Sequence, residues 1–281
     1  MKYSLVIGTL NRSVQIRSCL ESIVNQEIKD FEVIIVDQSH DDLTKNVVSQ
    51  FLYTNIKYYH VDFIGLSKAR NYALKYVEGE FICLMDDDAV YPAEFLRQVG
   101  QLLDKTAKQI LSGVILSIDD HKTPFIDCSP LEEGERLEVK EIINYCPSAA
   151  LIIPLSAFFE AGKFDERLGV GNEFAAGEET DFLLRAMDAG YMVQHSKLVK
   201  VYHPIKPIDY NNLNGIYKHA MGKGALVKID YKMRKRHRLL NFAMRNTLGM
   251  IIKWCFCDSN KRKIYKMRFA GFVAGYTKFD I

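Results

Sequence analysis

The first hundred residues alternate between short apolar runs and segments whose apolar residues recur at helical spacing. Apolar runs predict strands at 3–7, 31–37, 56–61 and 80–86, and periodic segments predict helices at 12–26, 42–52, 65–77 and from Pro92 onward. The run FEVIIVD is apolar at nearly every position, as in a strand buried on both faces of a parallel sheet. The order of these elements predicts an α/β fold with a mainly parallel sheet flanked by helices.

The pattern becomes less regular after about residue 105. Later elements are predicted as strands at 109–118, 148–154 and 192–203 and as a helix at 177–191. The charged stretch from Asp119 to Glu141 predicts a loop with a short hairpin. We therefore expect one domain over 1–205, with halves that meet near residues 105 and 106, and a helical C-terminal region over 206–281.

Composition narrows the class of protein. The chain has 281 residues, 48% of them apolar, which is enough for a substantial folded core. Its six cysteines are scattered without a CxxC pair, which favours a reducing compartment. The N-terminal apolar run is too short for a signal peptide, and no run reaches the roughly 18 apolar residues of a spanning helix. These features predict a cytoplasmic protein that is not integral to a membrane.

Three consecutive aspartates, Asp86 to Asp88, follow directly on the predicted strand FICLM. Adjacent carboxylates repel one another, so we expect a cation beside them, and removing one should leave the metal-free protein equally or more stable. Residues two apart in an extended chain point the same way, which pairs Asp86 with Asp88. Two converging carboxylates suit Mg²⁺ or Mn²⁺. A solvated acidic turn is the alternative.

Several motifs in order resemble the family 2 glycosyltransferases of the GT-A fold. They are IGTLNR, VIIVDQSHDD, GLSKARNYAL, FICLMDDDAV, GKFDERLG, GEETDFLLRAMDAGY and VYHP. Each motif is weak alone, but the ordered set is specific and covers roughly residues 3 to 205. The resemblance implies a nucleotide-sugar half at about 1–105, an acceptor half at about 106–205, and inverting transfer of a sugar from a nucleotide-diphosphate sugar, with a UDP-sugar favoured.

The resemblance also implies roles for single residues. Asp86 and Asp88 would bind the cation, Mn²⁺ or Mg²⁺, with Asp88 as the more direct ligand. His203 is either a structural histidine or a further metal ligand. The donor nucleotide would contact Thr9, Asn11, Arg12, Asp37, Arg70, Asp86 and Asp87, with Asp37 reading the base edge. Gln38 stands where the family often has a second aspartate.

A second acidic cluster begins the predicted helix at 177–191. Acidic residues in a first helical turn commonly do no more than complement the helix dipole. The family places its catalytic base at the second position of a Glu-Asp pair, which implies Glu179 here, with Glu178 as the alternative. This chain departs from the family by carrying Glu in place of Asp at that position.

The C-terminal region is strongly basic, with 13 Lys or Arg between residues 228 and 268 against two Asp. Interleaved aromatic residues favour binding to an anionic membrane surface at the inner face of the cell membrane, and the alternative is an appendage packed on the enzyme. No nucleic-acid recognition module accompanies the charge, so nucleic acid is not expected. The acceptor implied by the resemblance is a glycan or lipid-linked glycan, as in polysaccharide biosynthesis of the cell envelope.

Two other functions remain open at this stage. A sugar nucleotidyltransferase shares the sheet, the nucleotide and the metal, but it needs a Gly-rich phosphate loop after the first strand, where this chain has only Gly8. A non-catalytic carbohydrate-binding protein has no use for two acidic clusters. The chain also lacks the Gln-x-x-Arg-Trp motif of processive synthases, which argues for adding one sugar at a time.

Overall fold

The computed structural model describes residues 1–51, 55–104, 108–205 and 209–280. Its described strands form one seven-stranded sheet in the order β3-β2-β1-β4-β6-β5-β7. The strands are β1 Tyr3–Thr9, β2 Phe31–Asp37, β3 Ile56–His60, β4 Phe81–Asp86, β5 Gln109–Ser117, β6 Leu151–Pro154 and β7 Met192–His203. Strand β6 pairs antiparallel with both of its neighbours, and the remaining pairs are parallel.

Strand direction brings several chain segments to one edge of this sheet. Thr9 lies opposite Asp37, and Gly8 lies opposite Asp86, at the ends of β1, β2 and β4. His203 ends β7, which is parallel to β5, so it faces the same way. The carboxyl ends of parallel strands are where open α/β sheets bind ligands.

The described helices before residue 206 are α1 Ser13–Val24, α2 Leu43–Val48, α3 Leu66–Ala73, α4 Phe95–Leu102, α5 Val139–Tyr145, α6 Leu155–Glu160 and α7 Glu178–Asp188. Helices α1, α2, α3 and α7 are shorter than the sequence pattern predicts. Helix α5 begins at Val139, inside the stretch 119–141 that was expected to form a loop with a short hairpin. A 3₁₀ turn at Ser148–Ala150 replaces the start of the strand expected at 148–154. The last residue of the helix expected at 42–52 lies outside the described residues.

The core lies on both faces of the sheet. Along β1, Leu5 and Ile7 belong to one buried cluster and Val6 to the other. Along β2, Val33 and Ile35 face the first cluster, and Ile34 and Val36 face the second. This double burial is why these strands are apolar at successive positions instead of alternating with polar residues.

The chain divides into two compact units. The first consists of residues 1–164 and 182–205, and the second of residues 165–181 together with the described residues after 205. The sequence places domain boundaries near 105 and 206, and residues 105–107 and 206–208 lie outside the described ranges. The segment 165–181, expected in the sheet domain, belongs to the second unit in the structure.

The second unit is helical. It contains α8 Leu213–Lys228, a π-helical turn at Ile229–Met233, α9 Leu240–Phe256 and α10 Ser259–Lys278. Helices α8 and α10 touch backbone to backbone, since a Cβ at Gly275 would lie 1.9 Å from the carbonyl oxygen of Met221. Leu168 and Phe174 join Met221 in a small buried core. None of the described helices is long and apolar enough to cross a membrane.

Candidate active site

The three aspartates after β4 lie next to the end of β7. Val90 forms an antiparallel bridge with Tyr202, and each backbone N–H donates to the other's carbonyl, at 2.8 and 2.9 Å. This bridge joins the turn that follows β4 to a strand that lies three places away in the sheet. It brings His203, the neighbour of Tyr202, against the aspartates.

Asp88 is held by two cationic side chains. His203 Nε2 lies 2.9 Å from Asp88 Oδ1, and Arg12 Nη1 donates to Asp88 Oδ2 at 2.8 Å. Desolvation opposes ionisation of this carboxyl, but the hydrogen bonds and charges of His203 and Arg12 outweigh it and lower the pKa of Asp88 to about 2. Asp88 is therefore a carboxylate across the physiological pH range.

Asp87 faces the start of the chain. Its side chain is almost fully buried and accepts hydrogen bonds from Thr9 Oγ1 and Arg12 Nη1, both at 2.7 Å. Burial raises the pKa of Asp87, although both donors favour the charged form. Thr9, Arg12 and Asp87 thus form one hydrogen-bonded group that joins the ends of β1 and β4.

Asp86 is the most accessible of the three carboxylates, with 27% of its side chain exposed. Its Oδ1 lies 3.5 Å from Arg70 Nη2, and its Oδ2 lies 3.9 Å from His203 Nε2. The guanidinium of Arg70 is 1% exposed and packs over the ring of Phe164. Burial raises the pKa of Asp86 against the opposing charges of Arg70 and His203.

Asp37, the candidate reader of the base, is completely buried. Its Oδ1 accepts hydrogen bonds from the backbone N–H and hydroxyl of Ser39, and its Oδ2 accepts one from Tyr58 Oη at 2.6 Å. The same Ser39 hydroxyl accepts from the backbone N–H of Asn11, which sits at a positive φ of 54°. Asp37 therefore orders the loops after β1 and β2.

Gln38 has a structural contact at the position where the family often has an aspartate. Its side-chain oxygen accepts from the backbone N–H of Gly65 at 2.6 Å, and Gly65 has a φ of 134°. Gly65 is the residue before α3, the helix that carries Arg70. An aspartate at position 38 is one methylene shorter, so this contact depends on the glutamine.

The donor set at the end of β4 suits a hard divalent cation by its chemistry. Two carboxylates and an imidazole converge there, and Nδ1 of His203 lies 2.9 Å from the carbonyl oxygen of Pro204, the kind of second contact that orients a metal-binding histidine. Within the described ranges, no group of three or more His, Cys, Asp or Glu side chains is already arranged to hold a metal ion. A cation would therefore replace the direct contact between His203 and Asp88.

The second acidic cluster belongs to the helical unit and opens α7. Glu178 is 3% exposed, whereas Glu179 is only partly buried. Asp181 is buried and forms an ion pair with Arg234. Gly177, with a φ of 96°, precedes the helix. Of the two glutamates, Glu179 is the more exposed as a whole residue, although its Oε2 is buried.

Comparison with known proteins decides the family. The model of the glycosyl transferase family 2 matches residues 4–164, more than half of the chain. The chain belongs to glycosyl transferase family 2. The predicted family and the GT-A type of α/β fold are thereby confirmed, and membership favours a glycosyltransferase over a sugar nucleotidyltransferase.

Curated relatives of this family 2 chain match over parts of their length. The poly(ribitol-phosphate) β-N-acetylglucosaminyltransferase TarS of Staphylococcus aureus is 30% identical over 116 residues, which is 40% of this chain and 20% of TarS. The GalNAc(5)-diNAcBac-PP-undecaprenol β-1,3-glucosyltransferase of Campylobacter jejuni is 25% identical over 152 residues, 50% of this chain and 47% of that enzyme. The chain thus spans half or less of these relatives.

Solved structures share the fold over nearly the whole chain. TarS residues 1–349 from S. aureus in complex with UDP-GlcNAc superimposes with a TM-score of 0.65 at 17% identity, covering 99% of this chain and 82% of that one. The mannosyltransferase PcManGT of Pyrobaculum calidifontis, in complex with GDP-Man and Mn²⁺, gives 0.62 at 15% identity, covering 100% and 76%. At these identities the likeness shows the fold alone.

The sequence pattern missed the residues that support the site. Ser39, Tyr58 and Tyr91 contact Asp37 or the backbone of Asp86, yet each looks like an ordinary loop or strand residue. Ser39, two residues after Asp37, carries a recognisable signal, since an aspartate often accepts from the backbone N–H two residues on. Tyr58 and Tyr91 carry none, because their contacts arise from strand pairing and packing.

Proposed function

We propose that this protein transfers one sugar from a nucleotide-diphosphate sugar, with a UDP-sugar favoured, to a hydroxyl group of a glycan or lipid-linked glycan. The observation that carries the proposal is the convergence of Asp86, Asp88 and His203 in a family 2 chain. A divalent cation held by these residues would supply positive charge to the diphosphate leaving group. The complex of TarS with UDP-GlcNAc supports the choice of a UDP-sugar.

The residues around the aspartates would have separate tasks in this reaction. Thr9, Arg12 and Asp87 hold the end of β4 in place beside β1. Arg70, which is 1% exposed, would act on the donor through its contact with Asp86. Asp37 and Asn11 would shape the base pocket through Ser39.

Glu179 would act as the general base. The acceptor oxygen forms a bond to the anomeric carbon while the bond to the diphosphate breaks, and the hydroxyl proton passes to a carboxylate. One such displacement inverts the anomeric configuration. Glu179 is partly exposed as a residue, against 3% for Glu178, although its Oε2 is buried, and this difference supports Glu179 as the residue that an acceptor can reach through its other carboxylate oxygen.

A donor panel tests the proposal. Thermal unfolding is followed with UDP-, GDP- and dTDP-sugars, each with and without Mn²⁺, and release of free nucleotide is measured in the same mixtures. A ligand at 100 times its dissociation constant should stabilise the protein by about 2.7 kcal/mol. Stabilisation with nucleotide release supports a transferase, and stabilisation by sugars without nucleotide dependence would indicate the non-catalytic carbohydrate-binding alternative.

We also propose that the helical unit attaches peripherally to an anionic membrane surface. Helix α9 exposes Met244, Leu248 and Ile252 along one face, and Phe256 at its end is 88% exposed. The next helix begins with the basic run Lys261 to Lys263. Exposed apolar groups beside basic ones are typical of helices that lie in a membrane interface.

Liposome co-sedimentation tests the attachment. The full chain should sediment with vesicles that contain anionic lipid, and less so at 1 M salt, where the screening length is about 3 Å. Phe256→Ser should weaken sedimentation, whereas Phe159→Ser, a substitution of a phenylalanine that is 80% exposed in the other unit, should not. Equal sedimentation of both variants would reject α9 as the contact surface.

A further inference from the structure

The helical unit contains a cavity of about 450 Å³ between α8, α9 and α10. Its wall includes His219 and Lys223 from α8, Asn246 from α9 and Arg268 from α10. Ligand cavities commonly measure 300–1,000 Å³, so the space suits a ligand of the size of a sugar phosphate. The cavity lies wholly within the unit that also contains Glu179.

Three basic side chains, His219, Lys223 and Arg268, line the cavity among polar and apolar residues. His219 and Lys223 are one helical turn apart on the same face of α8, and Arg268 approaches from α10. Among the described residues, no hydrogen bond or ion pair joins these three side chains to another protein group. The acidic lining residue is Asp209, and its carboxylate accepts a hydrogen bond from the backbone N–H of Asn211.

The surroundings of the cavity lower the pKa values of two of its basic side chains. Desolvation, with the charges of Lys223 and Arg268, lowers the pKa of His219 to about 4. Desolvation and Arg268 also lower the pKa of Lys223, against the opposing charge of Glu179. His219, Lys223 and Arg268 are nevertheless exposed to solvent. Among the described residues, the carboxylate of Asp209 forms no ion pair with Lys223 or Arg268, so an anion bound between these two side chains would relieve their repulsion.

We propose that this cavity binds a phosphate group of the acceptor substrate. Lys223 and Arg268 supply charge and N–H donors for a phosphate, and the amide of Asn246 adds a neutral donor. A phosphate can come from the acceptor or from the donor nucleotide. The acceptor is favoured because Lys223 lies within electrostatic reach of Glu179, the proposed base. This inference rests on the proposed glycosyl transfer and adds that the acceptor carries phosphate.

The test follows the ring protons of His219 by NMR in the full-length protein, assigned by comparison with His219→Gln. Inorganic phosphate, sn-glycerol 3-phosphate and UDP are titrated separately, with sodium chloride at matched ionic strength as a reference. Binding of sn-glycerol 3-phosphate should raise the pKa of His219 and saturate. Lys223→Gln should weaken the apparent affinity about tenfold, corresponding to roughly 1.4 kcal/mol.

Lys278→Gln is the matched control, since this exposed lysine at the end of α10 lies outside the cavity wall and should leave the affinity unchanged. The same affinity in Lys223→Gln and wild type, or a chloride response equal to that of phosphate, would overturn the proposal. Tighter saturation by UDP than by sn-glycerol 3-phosphate would assign the cavity to the donor and overturn the acceptor assignment. Nucleotide release from UDP-sugars, measured in parallel on wild type, shows whether a negative result concerns this cavity or the proposed transfer itself.

Discussion

Replacing Asp88 by asparagine should lower the free energy of unfolding of the metal-free protein by about 2 kcal/mol at pH 7. Desolvation of Asp88 opposes its ionisation, but His203 and Arg12 outweigh it and bring the pKa from 3.8 to about 2. One pKa unit corresponds to about 1.4 kcal/mol, so the ionised form is stabilised by about 2–3 kcal/mol. Solvent screening removes little of this, because only 8% of the Asp88 side chain is exposed. Asparagine keeps one acceptor oxygen, so the loss should fall at the lower end.

The effect should depend on pH with a defined sign. Because folding lowers the pKa of Asp88, its contribution is fully present above the unfolded value of 3.8 and is lost as the pH falls towards 2. Burial lowers the pKa of His203, but its contact with Asp88 outweighs burial and raises this pKa above 6.5, so the part of the difference that comes from His203 is lost as the pH rises through the raised value. The difference between wild type and Asp88→Asn should therefore be largest near pH 5. It should shrink below about pH 4, where the unfolded carboxyl becomes protonated.

Urea denaturation in the presence of EDTA measures the difference at each pH. Asp62→Asn is the matched control, since Asp62 is exposed and the same charge is removed away from the cluster. Its unfolding free energy should stay within about 0.5 kcal/mol of wild type. Equal or greater stability of Asp88→Asn at pH 7 would refute the reasoning, because repulsion among the aspartates would then exceed their attraction to Arg12 and His203.

Three further outcomes are expected. Glu179→Gln should bind donor nucleotide normally and lose turnover by a factor on the order of 10²–10⁴, and Glu178→Gln should lose less; the opposite ranking in a nucleotide-release assay moves the base by one residue. EDTA should abolish nucleotide release and Mn²⁺ restore it, and release that persists in EDTA argues against a cation at Asp86 and Asp88. Gly275→Ala should lower the melting temperature, because a Cβ there meets Met221 at 1.9 Å, whereas Gly249→Ala, with nothing within 4 Å of its added Cβ, should raise stability by up to about 1 kcal/mol.

Strand β2 was predictable from the run 31–37, because burial on both faces makes it apolar at successive positions. Strand β7 was predictable from the run 192–203, where buried positions are interspersed with more exposed ones, as in a strand at the edge of the sheet. Helix ends were harder to predict. The pattern 65–77 extends past α3, which begins at Leu66 after the uncapped Gly65 and ends at Ala73. Where no capping side chain marks a boundary, apolar periodicity alone overestimates helix length.

Helix α5 was missed for a related reason. It is seven residues long and begins inside the charged stretch 119–141. Of its residues, Ile142 is the buried one. One apolar contact leaves no periodic pattern for sequence reasoning to detect. The cavity also has no recognisable signal in the sequence. Arg268 is one of many basic residues between 228 and 268, and His219 and Lys223, which precede that region, belong to no recognisable motif.

The sequence did not reveal whether Asp86 to Asp88 are dominated by repulsion among themselves or by attraction to basic side chains. Three adjacent carboxylates suggest repulsion that an external cation must relieve, and the structure instead brings Arg12, Arg70 and His203 to them. These partners lie 16 to 117 residues away in the chain. They meet the aspartates only because β1, β4 and β7 end at the same edge of the sheet.

The carboxylate cluster is consequently a product of the whole first unit. Arg12 depends on the end of β1, and His203 depends on the bridge between Val90 and Tyr202, which connects β7 at the far edge of the sheet to the turn after β4. Loss of either strand would leave Asp88 buried without its partner, at a cost of several kcal/mol. The cluster and the sheet should therefore form and unfold together, and the site's geometry is as stable as the fold that supports it.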